Sequence, residues 1–144
     1  MQKYYPALLV LSQYGLMALM FLFSRTALSG ISLWLFALGF AIGLWAIAHN
    51  RIGNFHIRPE FKSGAVLVTT GIYRFIRHPM YLSVAVMMLA VLTANPSPAQ
   101  WIMYTILLLT LYLKARREES LWLQQDPAYA AYQKKSKIFL PFIL

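Results

Sequence analysis

The run PMYLSVAVMMLAVLTANPSPAQWIMYTILLLTLYL, residues 79–113, carries no charged side chain and is broken once, at Asn95-Pro96-Ser97-Pro98. Each proline removes a helical N–H and pushes the residue before it out of the helical region, so the chain turns here. The run reads as two apolar helices joined by a turn, a helical hairpin whose two ends emerge on the same side. Each arm has about 15 residues, or roughly 22 Å of helix, against a hydrocarbon core of about 30 Å. Arms this short either thin the bilayer or stop before crossing it.

Working outward, residues 4–24 form an uncharged run rich in Leu, Met and Phe, and residues 31–48 form a second. Both are long enough to span. The first is too long for the apolar core of a signal peptide and is expected to be a permanent span. The second carries Gly39 and Gly43 in a GxxxG pattern that lets another helix approach closely, either within the chain or in a homodimer. The composition agrees: 60% of residues are hydrophobic and 12% charged, about half the charge of an ordinary soluble domain. We expect an all-α, polytopic membrane helical bundle of about four transmembrane helices. Residues 1–144 form a single domain, with two spans in 1–50 and a functional core in 51–144 that ends in the hairpin, a cytoplasmic loop and a tail.

Charge sets the orientation. If the spans alternate, all of the 13 basic residues except Arg25 fall on one side, and an excess of Lys and Arg marks the cytoplasmic face. Both termini are then cytoplasmic. The four acids, Glu60, Glu118, Glu119 and Asp126, lie on that side with His49, His56 and His78, so any chemistry faces the cytoplasm. A net charge of +9 suggests nucleic acid in a soluble protein, but here the basic residues flank apolar runs and face anionic lipid headgroups. Nucleic acid is discounted. Without cysteine there is no thiolate chemistry and no disulfide framework. The three scattered histidines lack zinc-ligand spacing, and no metal is expected.

The polar segment 50–77 is long for a connection in a compact bundle, which suggests a functional loop. Within it, Gly64 and Gly71 bracket a β-branched run whose backbone is expected to lie extended and offer its amides or carbonyls to a ligand, unless it is an ordinary connection. Arg74, Arg77 and His78 stand just before Pro79, as a basic membrane anchor or as donors gathered at the mouth of a helix. Glu118 and Glu119 follow Arg116 and Arg117, as a solvated ion-paired helix end or as an acidic patch holding a cation. The helix after Leu113 is expected to run to about Gln125, with Asp126 and Pro127 opening a short helix that carries Tyr129 and Tyr132 on one face.

Taken in order, Leu67-Val68-Thr69-Thr70-Gly71-Ile72-Tyr73, Arg77-His78-Pro79-Met80-Tyr81, the short hairpin and Glu118-Glu119 resemble the isoprenylcysteine carboxyl methyltransferase family and its phospholipid methyltransferase relatives. The similarity spans roughly residues 53–144, from Gly53-Asn54-Phe55 to Leu140-Pro141-Phe142. It implies an S-adenosylmethionine-dependent methyltransferase with its cofactor site built from membrane helices and cytoplasmic connections, in keeping with the absence of a Rossmann fingerprint. By the same resemblance Arg77, His78 and Tyr81 line the cofactor pocket, and Glu118 and Glu119 close it. Leu67, Val68, Gly71 and Tyr73 supply backbone contacts and adenosine packing.

In that reading the glutamates hold the cofactor's ammonium or ribose hydroxyls, and Arg77 or His78 its carboxylate. A carboxylate acceptor needs no strong base, and Arg116 or Arg117 orients it. An amine acceptor needs one, and the glutamates or His78 are candidates. The expected catalytic set is Arg77, His78, Arg117, Glu118 and Glu119. The leading expectation is carboxyl O-methylation of a lipophilic small-molecule or lipidated acceptor, prenylcysteine-like, with membrane lipids as further partners. N-methylation of a phospholipid amine is the second, and a non-catalytic membrane protein that binds lipid or a partner is the third.

Overall fold

The computed structural model describes residues 4–25, 27–50 and 66–139, and these are helical almost throughout. The helices are α1 (Tyr5–Leu22), α2 (Ile31–His49), α3 (Pro79–Ala94), α4 (Pro98–Gln125) and α5 (Ala128–Lys135), with a 3-10 turn at Gly71–Arg74 before α3. The sequence punctuates them. Pro6, Pro79 and Pro98 sit in the first turns of α1, α3 and α4, where a missing N–H costs nothing. Ser97 caps α4 by accepting from the Gln100 amide, and Asp126 Oδ1 accepts from the Ala128 amide at 2.8 Å to start α5.

α1 and α2 are long and apolar enough to cross a membrane. They turn large side chains outward, Leu22 at 79% exposure and Trp34 at 74%, an arrangement unstable in water and natural against lipid. Inside, Met20 of α1, Met88, Val91 and Leu92 of α3, and Leu107 and Leu111 of α4 make the main core. A smaller cluster of Ala46, Ile72 and Ile76 joins the end of α2 to the segment before α3.

α2 packs along α3 through its glycines. A Cβ on Gly39 would stand 2.7 Å from Met87 Cγ and 2.8 Å from its backbone nitrogen, and one on Gly43 would stand 2.7 Å from Ser83 Oγ. Ser83 Oγ donates to the Gly39 carbonyl at 2.7 Å. The close approach that GxxxG permits is thus used within the chain. α1 runs antiparallel to α4 along a polar seam: Gln100 Nε2 donates to the Met20 carbonyl, Ser12 meets Thr110, Lys114 meets Gln13, and Arg117 lies over the Tyr5 ring.

Before α3 the chain turns at Gly71, the second of the glycines that bracket the β-branched run. Thr70 is extended, but Gly71 has φ +58° and turns the chain into the 3-10 turn. Glycine is required there twice over, because the left-handed conformation disfavours a side chain and the His49 ring lies where a Cβ would go, 2.2 Å away. Gly64 and the rest of the 51–65 stretch, with Gly53-Asn54-Phe55, His56 and Glu60, lie outside the described residues, as do Lys3 and Leu140-Pro141-Phe142.

Candidate active site

Almost all of the described charge gathers at one end of the bundle, where α3 begins, α4 leaves its apolar stretch and α5 folds back. The geometry starts from backbone. The Arg77 amide donates to the Lys137 carbonyl at 2.7 Å, the His78 amide to the Ile138 carbonyl at 3.1 Å, and the Lys137 amide to the Phe75 carbonyl at 2.9 Å. This parallel bridge between Ile76 and Lys137 fixes Arg77 and His78 before Pro79 starts the helix.

Arg77 then points into the protein. Its Nε donates to Glu119 Oε1 at 2.5 Å, and Nη1 donates to the Gln133 carbonyl at 3.1 Å and to the Ser136 carbonyl. The last two close the C-terminal end of α5, where carbonyls are unpaired and a cation is favoured. The ion pair is sealed, with side chains 7% and 2% exposed. Gln133 Nε2 adds a bond to Glu119 Oε2 at 3.1 Å, and Arg116 Nη1 stands 3.6 Å from the same oxygen. Each carboxylate oxygen is therefore matched, which a buried ion requires.

His78 lies between the two glutamates. Nδ1 is 3.5 Å from Glu118 Oε2 and Nε2 is 3.4 Å from Glu119 Oε1, yet Nε2 is buried and makes no hydrogen bond. The ring stacks on Tyr81, with centroids 5.5 Å apart and planes within 8°. Tyr81 in turn donates its hydroxyl to Glu118 Oε1. Burial works against the imidazolium, but the attraction of Glu118 and Glu119 outweighs it and raises the His78 pKa. Burial works against the Glu119 carboxylate too, and the attraction of His78 and Arg77 beside it outweighs that, lowering its pKa. Tyr73 is pushed up to about 12, first by burial and then by Tyr132 and Glu118; it stays a neutral donor.

Of the residues expected at the site, Arg77, His78, Tyr81, Glu118 and Glu119 converge. Tyr73 joins them from behind, its carbonyl accepting from the Tyr132 hydroxyl at 2.6 Å. Gly71 contacts His49 on the α2 side, and Leu67 and Val68 are half-buried in the preceding coil. Arg117 reaches the Tyr5 ring, 5.5 Å away. Sequence reasoning did not single out Gln133 and the Ser136 carbonyl, which complete the Glu119 and Arg77 shells. Beside Glu119 a cleft of about 400 Å³ opens, lined also by Arg116, Ser120, Leu123, Gln124 and Gln133, within the size range of small-molecule sites.

No curated protein matches this chain. A family model does, described as phospholipid methyltransferase, over residues 27–130. That interval holds α2, α3, α4 and all five convergent side chains, and leaves α1 outside. A helical chain with two apolar helices of spanning length and this match is a membrane-associated S-adenosylmethionine-dependent methyltransferase; it belongs to the phospholipid methyltransferase family.

Proposed function

We propose that this chain methylates a carboxylate on a lipophilic acceptor of the prenylcysteine type, as isoprenylcysteine carboxyl methyltransferases do. The observation that carries this reading is the buried knot of Arg77, His78 and Glu119. Glu119 is held ionised by its two cationic neighbours, and His78 is drawn toward its charged form. Neither serves well as a base near neutral pH, and a carboxylate acceptor, already ionised, needs none.

The residues suit the cofactor by charge. His78 Nε2 is a buried donor without a hydrogen bond, fitted to a carboxylate oxygen, and the Glu118 side chain is 25% exposed, fitted to an ammonium or a ribose diol. When bound, S-adenosylmethionine supplies a methyl group activated by a sulfonium. That methyl group would pass to the acceptor's carboxylate oxygen, leaving S-adenosylhomocysteine as the by-product. The chain's part is to position the reactants and exclude water. Arg77 fixes Glu119, the Tyr81 hydroxyl fixes Glu118, and the cleft beside Glu119 provides entry from water. The acceptor's tail enters from lipid between the apolar helices. We read α1 to α4 as four spans, α3 and α4 as the hairpin, with both termini and the site cytoplasmic.

N-methylation of a phospholipid amine is the second reading. The description of the matching family favours it, and Glu118, the more exposed of the two glutamates, is placed to take the proton that an ammonium must lose. Saturable binding of S-adenosylhomocysteine to the detergent-purified chain tests the cofactor. Incubation with labelled S-adenosylmethionine and either a prenylcysteine or phosphatidylethanolamine then separates the acceptors: a base-labile ester on the former supports carboxyl transfer, and a base-stable methylamine on the latter replaces it. A folded chain that does not bind S-adenosylhomocysteine overturns both.

A further inference from the structure

Lys114 is 2% exposed, on the turn of α4 between its apolar stretch and the paired glutamates. A buried ammonium is costly and persists where other groups hold it. Here Nζ donates to Gln13 Oε1 of α1 at 2.5 Å, itself on a side chain only 5% exposed, and lies 5.1 Å from the centroid of the Tyr81 ring. That ring carries the hydroxyl bonded to Glu118 and stacks on His78. A continuous series of contacts thus runs from α1 through Lys114 and Tyr81 to both Glu118 and His78. Tyr81 thus has a cation over its ring and an imidazole stacked against it, and a tyrosine so held has little freedom to swing its hydroxyl off Glu118.

We propose that Lys114 is a positioning residue of the methyltransferase site, held by Gln13, and that α1, although outside the matched interval, is thereby a working part of it. The inference rests on the reading that Tyr81, Glu118 and His78 bind the cofactor. It assigns Gln13 a role that membrane insertion does not need, since a leucine there would suit lipid and packing better.

The test measures S-adenosylhomocysteine affinity and thermal unfolding of the full chain in detergent for Lys114→Met, Lys114→Arg, Gln13→Leu, Tyr81→Phe and the Lys114→Met/Tyr81→Phe pair. Lys114→Met is expected to weaken binding about tenfold, the scale of one desolvated cation–π contact. Lys114→Arg is expected to restore most of the loss, and Gln13→Leu to reproduce part of it. In the Tyr81→Phe background, where the hydroxyl that reaches Glu118 is gone, Lys114→Met is expected to cost little further affinity while shifting the unfolding midpoint as it does alone. A purely structural lysine gives additive losses in affinity instead, and that result overturns the proposal; so does unchanged affinity in Lys114→Met. If Lys114→Met does not fold, Gln13→Leu with and without Tyr81→Phe gives the same comparison. Absence of binding by the unsubstituted folded chain removes the site reading and this inference with it, whereas normal binding with additive losses removes this inference alone.

Discussion

Where α2 crosses α3, the chain takes side chains away; where α4 meets the segment before α3, it adds charge. The first contact is glycine against Met87 and Ser83, with one hydroxyl-to-carbonyl bond between the helices. The second buries Arg77, His78 and Glu119 together and satisfies Arg77 and Glu119 with Gln133 and the end of α5. Steric contacts hold two helices at a distance and say little about chemistry. Buried ions hold individual atoms, at an energetic cost that packing alone would never require. The difference separates the part of the molecule that builds a bundle from the part that builds a site.

Several substitutions press on that contrast. The largest effect is expected from Glu119→Ala, which strands Arg77 and His78 in a buried position: a loss of about 3–5 kcal/mol, read as a lowered unfolding midpoint in detergent, together with loss of S-adenosylhomocysteine binding. Glu119→Gln, which keeps the volume and one acceptor oxygen, is expected to lose less stability than affinity. On the steric side, Gly39→Val pushes a side chain into Met87 and its backbone, and is expected to cost about 1–3 kcal/mol without altering the affinity of the fraction that folds. Gly43→Ala is expected to cost less, because it meets only the Ser83 side chain, whose hydroxyl can rotate at the loss of its bond to the Gly39 carbonyl. If Gly39→Val weakened binding as strongly as Glu119→Ala, the two regions would not be separable.

Gly71→Ala forces a left-handed residue to carry a side chain against the His49 ring, and about 1–2 kcal/mol is expected. Replacing His49 by Ala in the same chain should relieve the steric part and leave the conformational part. The smallest expected effect is that of pH. Glu119 lies below its ordinary 4.5, so the stability it lends is present above that value and is lost as pH falls through its folded pKa. His78 lies above its ordinary 6.5, so its share is present below 6.5 and is lost as pH rises through its folded pKa. The unfolding midpoint is therefore expected to peak between those limbs, and His78→Phe to flatten the alkaline one.

Much of this was legible in the sequence. Uncharged runs and prolines at helix starts mark the four apolar helices because both signals are local. The end of α4 at Gln125 is local too, as is the opening of α5, although Pro127 stands at its N-cap, one residue beyond the Asp126 expected there. The five convergent residues were legible as a pattern of types in order. Their division of labour was not. Neighbours on a helix point about 100° apart, and the sequence does not say that Glu119 turns inward while Glu118 keeps partial contact with solvent. Nor does it reveal that Arg77 is bound to backbone carbonyls, since every residue has one. The Gln13–Lys114 bond joins positions 101 residues apart, and no periodicity links them. The turn at Gly71 that ends the extended stretch was not legible, because glycine permits both extended and left-handed conformations and the His49 contact that goes with the latter is tertiary.

The bridge between Ile76 and Lys137 imposes an order on biosynthesis. A ribosome delivers α1 through α4 before it delivers residues 136–138, so the growing chain has its helices while the Arg77 and His78 amides still await their carbonyl partners. Formation of the helices and assembly of the charged cluster are in this way separated in time, and a chain stalled or cleaved before Ser136 would carry its helices without the backbone bonds that fix Arg77 and His78.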